Sequence, residues 1–248
     1  MIAVVLLAPP VGLLIGAIGI GGVLLPPALT WLGGLDAHTA AGTSSWCFLF
    51  TGLVGTAMYA RQRTVAWRLA GLLTVGAAPA AVGGAAVNVL LPAQFLRMLL
   101  ALLVLGVGVH QMWFRSGASG DRVALPAFGT VLVGAVVGFG SALTGTGGPV
   151  LLVPLLLALG VQPLTTIAVA QVISLPLVGF AVLGYSAHGY VHFGLGSLLG
   201  VLAGVGALVG SRLVLGLARQ RLHRVVSVAM VAFGVVLLAG ALVPVFLS

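Results

Sequence analysis

The residues of this chain that could do chemistry are few, and the most conspicuous of them carry no charge. Two glycine clusters stand out: Gly19-Ile20-Gly21-Gly22, followed by Pro26-Pro27, and Gly145-Thr146-Gly147-Gly148-Pro149, followed by Pro154. Glycine is a weak helix former. Proline lacks an N–H and disfavours helix in the residue before it. In the middle of long apolar segments these clusters predict helix breaks. A broken helix exposes unpaired backbone N–H groups at its new N-terminus, and together with the helix dipole they form an anion site without any charged side chain. Two breaks facing each other across a pseudo-two-fold axis would build one central site. The alternative is that the breaks serve only close packing, the role expected of the scattered Gly71, Gly76, Gly83, Gly84, Gly106 and Gly108.

Hydroxyls and amides extend the candidate site. Thr43, Ser44 and Ser45 open one apolar segment, Thr144 and Thr146 lie in the second break, and Gln171 and Ser174 lie where a second copy of the Ser44 region is expected. All can donate to an oxyanion, although Ser and Thr in helices also bond their own carbonyls. The chain has no lysine or glutamate, and its two acids are Asp36, in an expected loop, and Asp121, in a polar linker. Cation carriers usually place carboxylates inside the membrane, so an anionic or neutral ligand is favoured. His38, His188 and His192 fall near helix ends on the side expected to face outward. They read as interface residues or as proton-coupling groups; a metal site lacks a third ligand at a sensible spacing. His223, beside Arg224, reads as a helix-end residue, and His110 is left open. Cys47 reads as a small buried hydrophobe, and as a lone cysteine it excludes an internal disulfide. The first glycine cluster lacks the Gly-Lys-Ser/Thr and the preceding strand of a nucleotide loop.

The elements that position these residues follow from composition. Of 248 residues, 61% are hydrophobic and 5% charged, with a mean hydropathy of +1.30. Soluble domains carry about 25% charged residues, so lipid must cover most of this surface. The net charge of +8 comes from ten arginines. They lack the interleaved aromatics of a nucleic-acid surface, and no nucleic-acid partner is expected. At about 20 apolar residues per span, eight segments are expected: roughly Ile2 to Leu35, Ala37 to Tyr59, Trp67 to Leu91, Phe95 to Phe114, Val123 to Leu159, Leu164 to Ala187, Phe193 to Leu217 and Leu222 to Phe246. The first and fifth are long and contain the glycine breaks. The start, Met1-Ile2-Ala3-Val4, lacks the basic region of a secretory signal and is expected to be retained.

The two halves resemble each other. Gly19-Ile20-Gly21-Gly22 aligns with Gly145-Thr146-Gly147-Gly148, Leu32-Gly33 with Leu159-Gly160, Ala41-Gly42-Thr43-Ser44 with Ala168-Val169-Ala170-Gln171, and Gly84 with Gly210. A repeat of about 126 residues is expected, a pattern common in transporters. The arginines orient it. If both broken segments were simple spans, the basic residues would divide five against five between the faces. If each broken segment enters and leaves on one face, nine share a side and only Arg97 is opposite, as the positive-inside rule requires. The halves then cross an odd number of times and are inverted, with both termini outside. The expected fold is an all-α integral membrane protein: an inverted-repeat helical bundle with a broken or re-entrant first helix in each repeat. Its parts are a first repeat over 1–114, a cytoplasmic linker over 115–122 and a second repeat over 123–248.

The segments Gly12 to Ser45 and Val137 to Gly160, each with glycines and prolines in the same order, resemble the two repeats of the TauE/SafE sulfite exporter family, and the likeness runs over nearly the whole chain. The resemblance implies a secondary transporter of a small anion, sulfite or an organosulfonate, working by alternating access in the cell inner (plasma) membrane, with export as the expected direction. It places Gly19 to Gly22, Thr144 to Pro149, Thr43, Ser44 and Gln171 along the substrate path. Ala170-Gln171 stands where the first repeat has Thr43-Ser44, so the implied site is asymmetric. No cofactor is expected and no enzymatic activity, since a membrane enzyme would need acid–base residues in a pocket. Coupled protons fit the lack of membrane carboxylates, while hydroxyl and backbone oxygens leave sodium open. A membrane scaffold is the competing reading.

Overall fold

The computed structural model describes residues 2–19, 21–113, 126–213 and 235, and every regular element among them is helical. The order is α1 (Ile2–Ile18), a 3-10 turn (Gly21–Leu24), α2 (Leu25–Trp31), α3 (Ala37–Arg61), α4 (Trp67–Leu90), α5 (Ala93–Trp113), α6 (Ala127–Thr144), α7 (Pro149–Ala158), α8 (Pro163–Ser186) and α9 (Phe193–Leu213). Among the described residues, α4, α6, α8 and α9 are long and apolar enough to cross a membrane. At 25 residues, α3 is also long enough, but the inward-facing Thr43, Ser44, Ser45 and Thr51 lower its hydropathy and place it at the centre of the bundle. The expected eighth segment, Val235 apart, and the Arg115 to Arg122 linker lie outside the described residues.

Local chemistry sets the helix ends. The Asp36 carboxylate caps α3 by accepting from the backbone N–H groups of His38 and Thr39, both at 3.0 Å. Gly145 closes α6 in the left-handed conformation, φ 65°. Each long first segment is interrupted at its glycine cluster, giving α1 then α2 and α6 then α7.

Small residues let the helices touch backbone to backbone. On α1, Gly12 and Gly16 face the Ala203 and Ala207 carbonyls of α9, and Gly206 and Gly210 of α9 face Pro9 and Leu13. On α4, Gly76 and Gly84 face Val131 and Phe139 of α6, and Gly134 and Gly138 of α6 face Leu73 and Ala77. In both pairs the residue numbers rise together, so α1 runs parallel to α9 and α4 parallel to α6. Gly76 and Gly84 thus take the expected packing role. Gly71 and Gly106, by contrast, have no described residue within 4 Å of where a Cβ would stand.

Further contacts fix the remaining directions. Gly196, Gly200 and Gly204 of α9 follow Trp46, Phe50 and Val54 of α3, again in parallel. On the central pair, Gly52 meets Leu175 and Gly55 meets Gln171, so α3 and α8 are antiparallel. One end of the bundle therefore gathers Asp36, His38, Asn88, Tyr190 and His192, and the other gathers Arg61, Arg63, Arg68 and Arg212. By helix direction, α1 starts and α2 finishes at the histidine end, whereas α6 starts and α7 finishes at the arginine end.

Candidate functional site

The two breaks meet beside α3. Gly19 ends α1 with φ 83° and donates its N–H to Ile15 at 2.9 Å. Gly147, in the second break, has φ 76°. A Cβ placed on Gly22 would lie 2.8 Å from the Thr146 carbonyl oxygen and 3.2 Å from the Phe48 ring, and one on Gly147 would lie 3.1 Å from the same ring. Only glycine lets the breaks come this close while both rest on Phe48.

Between them is a cavity of about 10 Å³, close to the minimum space for one water. Its walls are Ile15, Gly19 and Gly22 from the first break, Phe48 and Thr51 from α3, Thr146, Gly147, Pro149 and Val150 from the second break, and Gln171 and Ser174 from α8. None of the described residues that line it is charged. The first turn of α7 contributes backbone N–H groups that have no partner within their own helix; Pro149 supplies none.

Seven of the residues singled out from sequence therefore share one cavity: Gly19, Gly22, Thr146, Gly147, Pro149, Gln171 and Ser174. The others stand around it. Gly21 packs on Val11, Leu14 and Ile15, and Gly148 on Leu177 and Ser174. Thr43 accepts from the His192 N–H at 3.1 Å, at the histidine end. The Ser44 hydroxyl reaches the Gly145 carbonyl at 2.7 Å and so ties α3 to the second break, and Ser45 donates to Ala41 at 2.8 Å. Thr144 donates to Gly140 at 2.9 Å and contacts the Thr146 hydroxyl at 2.9 Å. The hydroxyl hydrogens of Ser44, Ser45 and Thr144 are therefore spent on backbone carbonyls. Ile15, Phe48, Thr51 and Val150 join the wall without having been chosen from sequence.

Gln171 is the most constrained polar group of the site. It is 1% exposed, and its Nε2 donates across to the Ile15 carbonyl at 2.9 Å, bridging α8 to the end of α1. Its Oε1 has no hydrogen-bond partner. Its own backbone carbonyl accepts from Ser174 Oγ at 2.7 Å and Thr56 Oγ1 at 3.1 Å.

A second polar group, overlooked in the sequence, stands at the histidine end. Asn88 is buried in α4, and its amide donates to the Leu143 carbonyl at 2.6 Å, in the last turn of α6 before the break. Its Oδ1 lies 2.9 Å from His38 Nδ1, and the His38 ring lies 5.3 Å from that of Tyr190. His188 Nδ1 lies 3.0 Å from the Gly184 carbonyl oxygen. At this end partial burial raises the Asp36 pKa, but the hydrogen bonds from Thr39 and His38 and the nearby imidazole outweigh burial and hold the carboxyl below its ordinary value.

Several long apolar helices packed around two broken segments define a multi-pass helical membrane protein. Residues 11–237 match the family described as Sulfite exporter TauE/SafE. The chain belongs to that family of membrane transporters. It is also 28% identical over 211 residues to the "Probable membrane transporter protein YdhB" of Bacillus subtilis (strain 168), covering 81% of this chain and 85% of that protein. No solved structure matches it.

Proposed function

We propose that the protein is a secondary transporter of a small anion, sulfite or an organosulfonate, moved outward across the cell inner (plasma) membrane by alternating access. The observation that carries this reading is the meeting of two glycine breaks around a small cavity whose described wall residues are uncharged. Backbone N–H groups and helix dipoles can hold an anion there, and no side-chain cation has to be overcome when it leaves. A sulfite ion has four heavy atoms and does not fit a space of about 10 Å³. Loading therefore requires the breaks to part.

The halves 1–114 and 123–248, joined by a cytoplasmic linker over 115–122, act as inverted repeats in this reading. Two features support it. The parallel pairing of α1 with α9 recurs as that of α6 with α4, first helix against third in each case. The described arginines at one end also fit a cytoplasmic face under the positive-inside rule. Rocking of one half against the other would open the cavity to each side in turn.

The test is sulfite uptake and efflux in proteoliposomes, with and without an imposed pH gradient, using sulfate, sulfoacetate and thiosulfate as competitors. Saturable flux that one of these anions inhibits is expected, and the gradient arm reads proton coupling. Absence of flux from folded, inserted protein overturns the reading.

A further inference from the structure

We propose that the cargo is a singly charged anion carrying a hydrogen-bond donor, hydrogen sulfite or a hydroxyl- or amino-bearing sulfonate, and that Gln171 Oε1 accepts that hydrogen. The proposal rests on the transporter reading above and narrows it to one charge and protonation class.

The argument follows the hydrogens. A backbone carbonyl can only accept, so the Ile15 oxygen at 2.9 Å requires the Gln171 nitrogen to face it. Oε1 is thereby fixed as the end without a partner, on a residue that lines the cavity and is 1% exposed. The neighbouring hydroxyls do not supply the missing donor. Thr51 gives its hydrogen to the Phe48 carbonyl at 3.1 Å, and Ser174 gives its own to the Gln171 carbonyl at 2.7 Å. Thr144 spends its hydrogen on a carbonyl, so in the 2.9 Å contact between threonines the donor is Thr146. Gln171 Oε1, which packs beside Gly55 of α3, thus receives no hydrogen from the wall hydroxyls, and the donors left for an anion are backbone N–H groups at the start of α7.

A wall of this kind sorts anions in two ways. Stripping water from an ion costs roughly as the square of its charge, and no side-chain cation here repays a dianion. An anion with no hydrogen to give also leaves Gln171 Oε1 unpaired in a water-free site, and sites with buried unpaired groups discriminate strongly against ligands that lack the partner. Fully ionised sulfite fails on both counts. Hydrogen sulfite meets both requirements, with its oxygens on the backbone donors and its hydrogen on Gln171.

The experiment compares two permanent monoanions with equal numbers of heavy atoms, 2-hydroxyethanesulfonate and 1-propanesulfonate, as inhibitors of sulfite flux in proteoliposomes of the full chain. The hydroxyl compound is expected to inhibit at about tenfold lower concentration, the scale of one buried hydrogen bond. Gln171→Met, which keeps the length of the side chain and removes the acceptor, is expected to bring the ratio to about one. Equal inhibition in the unmodified protein overturns the proposal while saturable sulfite flux leaves the transporter reading standing. A ratio that survives in Gln171→Met overturns the assignment of the acceptor. No sulfite flux at all overturns both. The comparison in the unmodified protein decides the matter even where the variant fails to fold.

Discussion

The Tyr59 hydroxyl donates to the Gly16 carbonyl at 2.9 Å, reaching back 43 residues from near the end of α3 to near the end of α1. Tyr185 does the same in the second half, reaching back 43 residues from α8 to the Ala142 carbonyl of α6. Both tyrosines are almost completely buried. Each bond pins the helix before a break to the central helix that follows it. Removing either hydroxyl deletes one buried hydrogen bond between elements, although the Ala142 carbonyl still accepts from the Gly145 N–H, so Tyr59→Phe and Tyr185→Phe should each destabilise the protein by about 1 kcal/mol. Thermal unfolding in detergent reads the loss, and the two variants are expected to be similarly affected.

Substitution at the meeting point of the breaks should stop transport without preventing insertion. Gly22→Leu forces a side chain against the Thr146 carbonyl and the Phe48 ring, and Gly147→Leu adds the strain of φ 76°. Both should reach the membrane and show no sulfite flux. Gly71→Ala, with no described residue within 4 Å of where its Cβ would stand, should transport normally. Normal flux from Gly22→Leu would exclude the cavity as the path.

Asn88 joins α4 to α6 just before the second break and holds His38 on its other side. Asn88→Leu strands a carbonyl and an imidazole nitrogen together. A loss of about 2 kcal/mol is expected, together with slower sulfite flux, because the end of α6 loses its tether. Stability and initial rate, measured on the same preparation, check both.

Asp36 ties α3 to acid stability. Its carboxyl is held below its ordinary value in the folded protein. The cap therefore contributes its full stability above the unfolded value and loses it as pH falls through the lower folded value. Asp36→Ala should cost about 1 kcal/mol near neutral pH and nothing in strong acid. Unfolding midpoints at both pH values test the sign.

The direction of the bundle can be read with cysteines. Cys47 is buried, so its replacement by Ala leaves a clean background. Single cysteines at Gln62 and Gly189, at opposite ends of the helices, should react with an impermeant reagent from opposite faces, Gln62 from the cytoplasm. Labelling of both from one face would rule out the topology.

The breaks were legible because glycine and proline in an apolar run have one main structural use. Gln171 was legible because a carboxamide in a span must be satisfied. Phe48 and Thr51 were not. The apolar residues of α3 fall on every side of the helix and mark no inner face, so a phenylalanine there is indistinguishable from a lipid-facing one. Thr43, Ser44 and Ser45 drew attention as donors, but their chemistry is absorbed by backbone close to them. Asn88 should have been found: a single amide in an otherwise apolar segment is a signal in its own right.

Phe48 has one further consequence. Gly22 and Gly147 rest on the same ring, one from each break, so neither can lift away without altering the support of the other. The ring works as an interlock between two doors. Shrinking it should therefore appear first as uncoupled leakage of water and small ions through an idle protein, before any change in the rate at which cargo is carried.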